Sequence, residues 1–318
     1  MIGYLIRRVF QAVIVVLGVC LITFILYHLF PGGPFAQGRL ILGPRASVAS
    51  INLWINQNGL NKPVWTQFGI LVGHVFTFNL GYSYKLNEPV RTIIEQKLPK
   101  TVLLMTLAVL LTLLVAIPLG IFQVLRRNKP EDYGLTTLSF IFYATPTFFL
   151  GIVLIQVFAI HWHLFPPEAP QGQSVGSILA DWRALVLPVC TLAAVFTAGF
   201  SRYMRSSMME ALTEDYIRTA RAKGLSAQRV NYVHALRNAL IPIVTLLGLT
   251  LPAIVSGALI TENVFNYPGM GLAFFNAAVN NDFPLLIGTV VVAAIATVVG
   301  SLLADILYAV LDPRIRYV

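Results

Sequence analysis

Thr213-Glu-Asp-Tyr-Ile-Arg-Thr-Ala-Arg-Ala-Lys-Gly-Leu-Ser226 is a short polar stretch between two long apolar runs. Thr213 is a suitable N-cap, and the two acidic residues after it fall where the helix dipole favours negative charge. Basic residues follow toward the other end, and Gly224 is the residue type that ends helices in a left-handed conformation. The stretch therefore predicts a short capped helix over 214–223, with Ser226 as the N-cap of a second helix.

Long apolar runs lie on both sides of this stretch, in a chain with 57% hydrophobic residues, 11% charged residues and a mean hydropathy of +0.77. These proportions exclude an ordinary soluble domain. Each run reaches the roughly 20 residues that a helix needs to cross a bilayer. We therefore expect an all-α integral membrane protein with six transmembrane helices, at Val9–Phe30, Thr101–Leu125, Tyr133–Ile160, Ala184–Tyr203, Leu240–Ile260 and Pro284–Leu311.

The net charge of +9 is distributed unevenly along the chain. In a six-span arrangement, most basic residues fall on one side, in the two termini and in the second and third inner loops. Because positive charge in short loops faces the cytoplasm, both termini and the loop 204–239 are expected to be cytoplasmic. The basic charge therefore predicts topology and contact with membrane lipids, and it does not indicate a nucleic-acid partner.

The segment that follows the first span is too long to be a simple connection. Pro31-Gly-Gly-Pro34 ends the first helix, and the aromatic, amphipathic residues 64–78 predict short helices at the outer membrane interface. This layer either covers the bundle or helps to receive a partner that carries substrate. The expected divisions are an N-terminal helix with an extracytoplasmic subdomain (1–95), a transmembrane core that contains the loop 204–239 (96–312), and a cytoplasmic tail (313–318).

The chain carries none of the sequence motifs of nucleotide hydrolysis or of common hydrolytic enzymes. It contains no G-x-x-x-x-G-K-[ST] phosphate loop, no H-E-x-x-H zinc motif and no G-x-S-x-G nucleophile elbow. His161 and His163 flank Trp162, but on a helix they face different sides, so packing at the membrane interface is favoured over metal binding. We therefore expect a chain that is not an enzyme and that holds no metal or cofactor.

A few polar residues in or near the spans are candidates for a translocation path or its outer mouth. Asp305 either faces a cavity or partner or reaches the inner headgroups, because a lone charge inside a bilayer is costly. Gln156 is a weaker candidate, since a hydrogen bond between helices explains it equally well. The acidic and aromatic segment 262–283 forms either the mouth of the path or an interfacial belt. The full candidate set is Gln156, Glu262, Asn263, Phe265, Asp282 and Asp305.

Residues 215–226, continuing into His234-Ala-Leu-Arg-Asn-Ala-Leu-Ile-Pro242, resemble the cytoplasmic loop of type I ABC importer permeases of the dipeptide and oligopeptide branch. In matching register, Arg218-Thr-Ala220 stands at the family's Glu-Ala-Ala positions and Gly224 at its glycine. Arg237 stands where the broader family often has proline, which agrees with the peptide branch. The resemblance extends over nearly the whole chain, through Ile2–Arg8, Gly59–Trp65, Asn79–Ser83, Leu98–Thr101 and Val264–Gly271.

The resemblance implies a type I permease fold and a subunit that forms half of a peptide path across a bacterial inner membrane. It further implies a homologous second permease, two ABC ATPase subunits that bind ATP and Mg, and an extracytoplasmic substrate-binding protein. The residues it assigns to ATPase coupling are Thr213, Asp215, Arg218, Thr219, Ala220, Arg221, Gly224, Leu225 and Ser226.

Several alternatives stay open at the level of sequence. Related importers of this branch carry glutathione, nickel chelates or haem, so the cargo is not fixed. A self-contained secondary transporter or channel would need ion-coupling charges within its spans, for which Asp305 is essentially the single candidate. The basic helix 214–223 could instead lie on lipid headgroups, as basic amphipathic helices do.

Overall fold

The computed structural model describes residues 2–29, 33–256 and 258–311; within these ranges the side chains of 2–6, 8, 9, 255, 256 and 305–311 are not described. The described chain is built almost entirely of helices. In chain order they are α1 (Ile2–His28), α2 (Gly33–Leu42), α3 (Val48–Gln57), α4 (Val64–Phe76), α5 (Val90–Leu125), α6 (Pro130–Ala144), α7 (Thr147–Leu154), α8 (Val175–Ala180), α9 (Trp182–Ala211), α10 (Asp215–Ala222), α11 (Ala227–Arg229), α12 (Leu236–Ala239), α13 (Ile241–Ser256), α14 (Leu259–Val264), α15 (Met270–Val279) and α16 (Phe283–Leu311). Two stretches have π-helical geometry, Ile155–His161 after α7 and Val230–Ala235 between α11 and α12.

Five helical segments of the described chain are long and apolar enough to cross a membrane, and α6 with α7 makes a sixth crossing if the pair is counted as one span. The prediction of one continuous helix over 133–160 is wrong, because the chain bends by 106° between α6 and α7. Pro146 explains the break, since its ring forces Thr145 into an extended conformation with φ −76° and ψ 124°.

The two spans that pack together most extensively, α5 and α9, are longer than their hydropathy predicted. The helix α5 begins at Val90 instead of Thr101 and continues through Pro99, and α9 runs on to Ala211 instead of ending at Tyr203. The predicted loop 204–239 is therefore mostly helical. Hydropathy marks only the part of a helix that lies in lipid, and the polar extensions continue beyond it.

A small outer layer covers one end of the bundle. The helix predicted within 64–78 is confirmed as α4, which packs against α1. A two-stranded antiparallel hairpin pairs β1 (Tyr82–Ser83) with β2 (Glu88–Pro89), in the register Tyr82 to Pro89. It leads directly into α5, so the outer layer is continuous with the core.

Close helix approaches hold the bundle together. The pair α5 and α9 meets at Gly120, where an added Cβ would lie 2.6 Å from Cβ of Met204. At Gly300 an added Cβ would lie 2.7 Å from the backbone nitrogen of Pro252, so α13 and α16 are equally close. Small residues permit this spacing in helices of membrane proteins. Separate apolar clusters pack around α10 and around Tyr267.

Candidate functional site

The helix α10 begins one residue later than the sequence predicted. Its N-cap is Glu214, with extended backbone at φ −68° and ψ 150° and no side-chain capping bond. The Thr213 hydroxyl instead donates to the Glu210 carbonyl oxygen at 2.7 Å. Thr213 as N-cap is therefore wrong, because α9 extends so far that its free carbonyls are the nearest acceptors for this hydroxyl.

The end of α10 is confirmed as predicted. Gly224 has φ +75°, its N–H donates to the Arg221 carbonyl at 2.9 Å, and the Leu225 N–H donates to the Ala220 carbonyl at 3.3 Å. This pair of bonds is the Schellman motif. The Ser226 hydroxyl accepts from the Arg229 N–H at 3.4 Å and caps α11. The direction in which the chain leaves α10 is therefore set by local hydrogen bonds.

One face of α10 is anchored in the helical bundle. Ile217 is fully buried and Ala220 is 5% exposed. Both belong to an apolar cluster with Met204 and Met208 of α9 and with Val230 of the following π-helical stretch. The helix is therefore fixed to α9, and it does not hang from a loose loop.

The opposite face of α10 is open to solvent and basic. Arg218 contacts Asp215 at 3.3 Å, with their side chains 76% and 94% exposed, so this pair contributes little to stability. Thr219 and Arg221 are also exposed. The predicted coupling set is thus divided, since Ala220 is buried and Leu225 half-buried. The exposed members are Thr213, Asp215, Arg218, Thr219, Arg221, Gly224 and Ser226.

A buried ion pair close to α10 was missed by the sequence analysis. The Asp132 side chain, 2% exposed, accepts from Arg205 Nε at 3.0 Å on Oδ1 and from Arg205 Nη2 at 2.9 Å on Oδ2. The Asn128 N–H donates to the same Oδ2 at 3.2 Å. The pair joins the first turn of α6 to α9. An acidic residue beside Pro130, at the start of an apolar run, was the available signal.

The sequence predicted that Glu262 lies at the mouth of the path or in an interfacial belt, but the structure places it in the interior. It is fully buried, its Oε1 accepts from Thr101 Oγ1 at 2.9 Å, and its Oε2 accepts from the N–H groups of Gly271 at 2.7 Å and Leu272 at 3.1 Å. Burial raises the pKa of this carboxyl, and the hydrogen bonds to its oxygens oppose that rise. The carboxylate thus caps α15 and ties it to α5.

Asp282 and Phe265, which were predicted to lie at the mouth of the path, are also interior residues. Asp282 is 3% exposed, accepts from the Ser83 hydroxyl, and accepts from the Leu285 N–H at 3.4 Å. It therefore caps α16 and fastens the hairpin to it. Phe265 is 1% exposed and lies in the outer apolar cluster with Tyr267. The prediction rested on residue type alone, whereas the hydrogen-bond partner of Asp282, Ser83, lies 199 residues away along the chain.

The remaining path candidates are Asn263, Gln156 and Asp305. Asn263 is half-buried, and Gln156 is exposed on the π-helical stretch. Asp305 lies in α16, but its side chain is outside the described part of the structure. In the described residues no group of three or more His, Cys, Asp or Glu side chains is arranged to hold a metal ion.

Comparison with known proteins gives full-length matches. Residues 116–317 match the family model described as "Binding-protein-dependent transport system inner membrane component", and residues 1–106 match the model of its N-terminal part. The chain is 37% identical over 319 residues to the oligopeptide transport system permease protein AppB of Bacillus subtilis, with 100% of both chains covered. It is 39% identical over 329 residues to the probable D,D-dipeptide transport system permease protein DdpB of Escherichia coli, covering 97% of this chain and 96% of that protein. The Escherichia coli dipeptide transport system permease protein DppB is 33% identical over 341 residues, covering 100% and 99%.

Proposed function

The chain belongs to the family of inner membrane components of binding-protein-dependent transport systems, and from this we propose that it is a permease subunit of an ATP-driven peptide importer. Full-length relatives are named as oligopeptide and dipeptide permeases, which favours peptide cargo over glutathione, nickel chelates or haem. The same relatives make a secondary transporter the weaker candidate.

The coupling role of α10 is the next part of the proposal. Two ABC ATPase subunits bind ATP and Mg, and this chain, which lacks a phosphate-binding loop, receives the energy mechanically and is not itself an enzyme. The observation that supports this is the division of α10 into two faces. Ile217 anchors one face in the bundle, and the other presents Arg218 and Arg221 to solvent. Motion imposed on the exposed face therefore passes to α9.

A homologous second permease, a different chain, completes the path. A groove of about 430 Å³ between α5, α6 and α9 supports a half-path in this chain. Its lining is apolar or small, and includes Leu111, Ala194 and Thr197. Such a lining makes few specific contacts with a peptide. Cargo selection then rests with a substrate-binding protein outside the membrane, as the family description implies.

The orientation follows from charge. We place both termini and α10 on the cytoplasmic side of a bacterial inner membrane, and the outer layer α2–α4 with its hairpin on the far side.

Since Glu262 and Asp282 are buried, the binding protein has to contact other residues. Exposed aromatic and apolar side chains of the outer layer, such as Trp65 at 83% and Leu86 at 54%, are the better candidates for contact with lipid or this partner.

The test is reconstitution of the four kinds of subunit in proteoliposomes, with a radiolabelled dipeptide and a radiolabelled oligopeptide as cargo. We expect uptake that needs ATP and the binding protein. The variant Arg218→Glu with Arg221→Glu should insert normally but bind the ATPase poorly, because its exposed face changes sign. The control Arg91→Gln removes an exposed charge of the outer end of α5 and should keep ATPase binding. Uptake driven by an ion gradient without ATPase subunits would contradict the proposal.

A further inference from the structure

Two contacts clamp α6 to α9, one in the first turn of α6 and one in its last turns. The first is the Asp132–Arg205 pair, which is bidentate and largely buried. In the second, the guanidinium of Arg202 lies 4.6 Å from the ring centre of Phe140 and 5.5 Å from that of Tyr143. Residues three apart share a helix face, so both arginines of α9 reach the same side of α6.

The position of this clamp relates it to α10. The same two turns of α9 carry Met204 and Met208, which pack in the cluster that holds Ile217. Arg205 lies between them in sequence and reaches α6. That short part of α9 is therefore joined to α10 through apolar packing and to α6 through charge. At its other end, α6 stops at the 106° bend.

We propose that Asp132 and Arg205 are positioning residues that make α6 move together with α9 and α10. A displacement of α10 is then delivered through α6 to the bend at Thr145 and Pro146. This inference rests on the proposed function, since it concerns how energy from an ATPase reaches the membrane path.

The Asp132–Arg205 ion pair transmits motion from α9 to α6 better than apolar packing would. Two parallel N–H···O bonds fix both the distance and the rotation between two helices, whereas apolar contacts allow sliding. A buried carboxylate is costly when unpaired, so states in which the two helices separate are disfavoured. Without Arg205, the Asp132 carboxylate would lose its only described cationic partner and would keep the Asn128 N–H and the Thr136 hydroxyl as hydrogen-bond donors. Lysine cannot reproduce the planar fork of arginine.

The neighbouring residue supplies a matched control. Glu131 precedes Asp132 and also meets an arginine, Arg126, but at 3.8 Å and with both side chains about half exposed. Exposed pairs of this kind contribute little. Glu131→Gln therefore removes the same charge from the same turn of α6 without releasing the clamp.

The experiment measures peptide uptake and ATP hydrolysis in the same proteoliposomes that contain the whole complex. For Asp132→Asn and Arg205→Ala, we expect the number of peptides moved per ATP to fall about tenfold, within the roughly 5- to 150-fold typical of coupling between sites. Arg205→Lys should be intermediate, and Glu131→Gln should keep the wild-type ratio. A merely stabilising role would lower uptake and hydrolysis together and leave the ratio unchanged.

A cysteine pair separates loss of the clamp from loss of folding. The variant Asp132→Cys with Arg205→Cys is made in a chain whose native Cys20 and Cys190 are alanine. A short cleavable bifunctional thiol reagent should restore the ratio, and cleavage should abolish it again in the same sample. Variants with wild-type ratios, or a cross-link that leaves a lowered ratio unchanged, would overturn the inference. Wild-type complex that hydrolyses ATP without moving peptide would instead count against the proposed function.

Discussion

Ile217→Ala tests whether α10 depends on a single apolar anchor. The helix has eight residues, of which Ile217 and Ala220 are buried. Alanine has almost no side chain to lose, so most of the apolar docking of this helix comes from Ile217. The substitution leaves the exposed basic face, including Arg218 and Arg221, unchanged. Any effect on a partner therefore passes through the position of the helix and not through its surface.

The size of the effect follows from burial. Ile217 is fully buried, and alanine removes three carbons, which at about 0.8 kcal/mol each amounts to about 2.4 kcal/mol. The cavity left behind adds to this, within the roughly 2–5 kcal/mol measured for such changes. An isolated helix of this length has little stability of its own. A loss of about 3 kcal/mol should therefore shift the ratio of docked to undocked α10 about 100-fold.

Hydrogen–deuterium exchange of the detergent-solubilised chain measures this ratio directly. The amides of α10 should exchange faster in Ile217→Ala, and affinity for the ATPase subunits should fall, while the spans keep their protection. The matched control is Thr219→Ala. Thr219 is exposed on the same helix, and its hydroxyl donates to the Asp215 carbonyl of that helix at 3.0 Å. Unchanged exchange in α10 together with unchanged ATPase affinity would refute the anchoring argument.

Three further predictions concern other parts of the chain. Gly224→Val should lower ATPase affinity and cargo-stimulated ATP hydrolysis while the chain still inserts, because a β-branched residue at φ +75° costs about 1–3 kcal/mol; normal assembly and transport would contradict this. Glu262→Ala should lower the midpoint of thermal unfolding more than Glu262→Gln, because alanine leaves two buried donors, Thr101 and Gly271, unpaired at about 1–3 kcal/mol each and also removes the acceptor of the partly buried Leu272 N–H; equal midpoints would contradict it. In a chain with Cys20 and Cys190 replaced, a membrane-impermeant thiol reagent applied from outside should label Asn61→Cys and not Gln228→Cys, and the reverse pattern would invert the proposed topology.

The sequence predicted most of what depends on local physics. The apolar runs gave the class of fold, and the ends of α10 and α11 at Gly224 and Ser226 were predicted because their bonds lie within a few residues. The break at Pro146 was the local feature that hydropathy missed. An averaging window sees a predominantly apolar stretch of 28 residues, whereas the backbone responds to the one residue that lacks an N–H.

The outer rim was mispredicted for the opposite reason. Glu262 was placed at the mouth of the path because an unpaired carboxylate is costly in an apolar setting. Its partner Thr101 lies 161 residues away along the chain, and Ser83 lies 199 residues from Asp282. Only the folded arrangement brings these donors together. The same holds for Asp132 and Arg205, 73 residues apart, which is why a buried ion pair escaped notice.

The burial of Ile217 beside Met204 and Met208 has a consequence for how the complex is made in the cell. Because α10 is held by its own chain, the surface that we propose meets the ATPase exists as soon as the bundle has folded. No segment has to become ordered upon encounter, so association avoids that entropic cost. An ATPase subunit that collides with a nascent bundle, before α9 and the residues around Val230 are in place, meets no such surface. Folding of the bundle around Ile217 is therefore a precondition for the proposed binding of the ATPase.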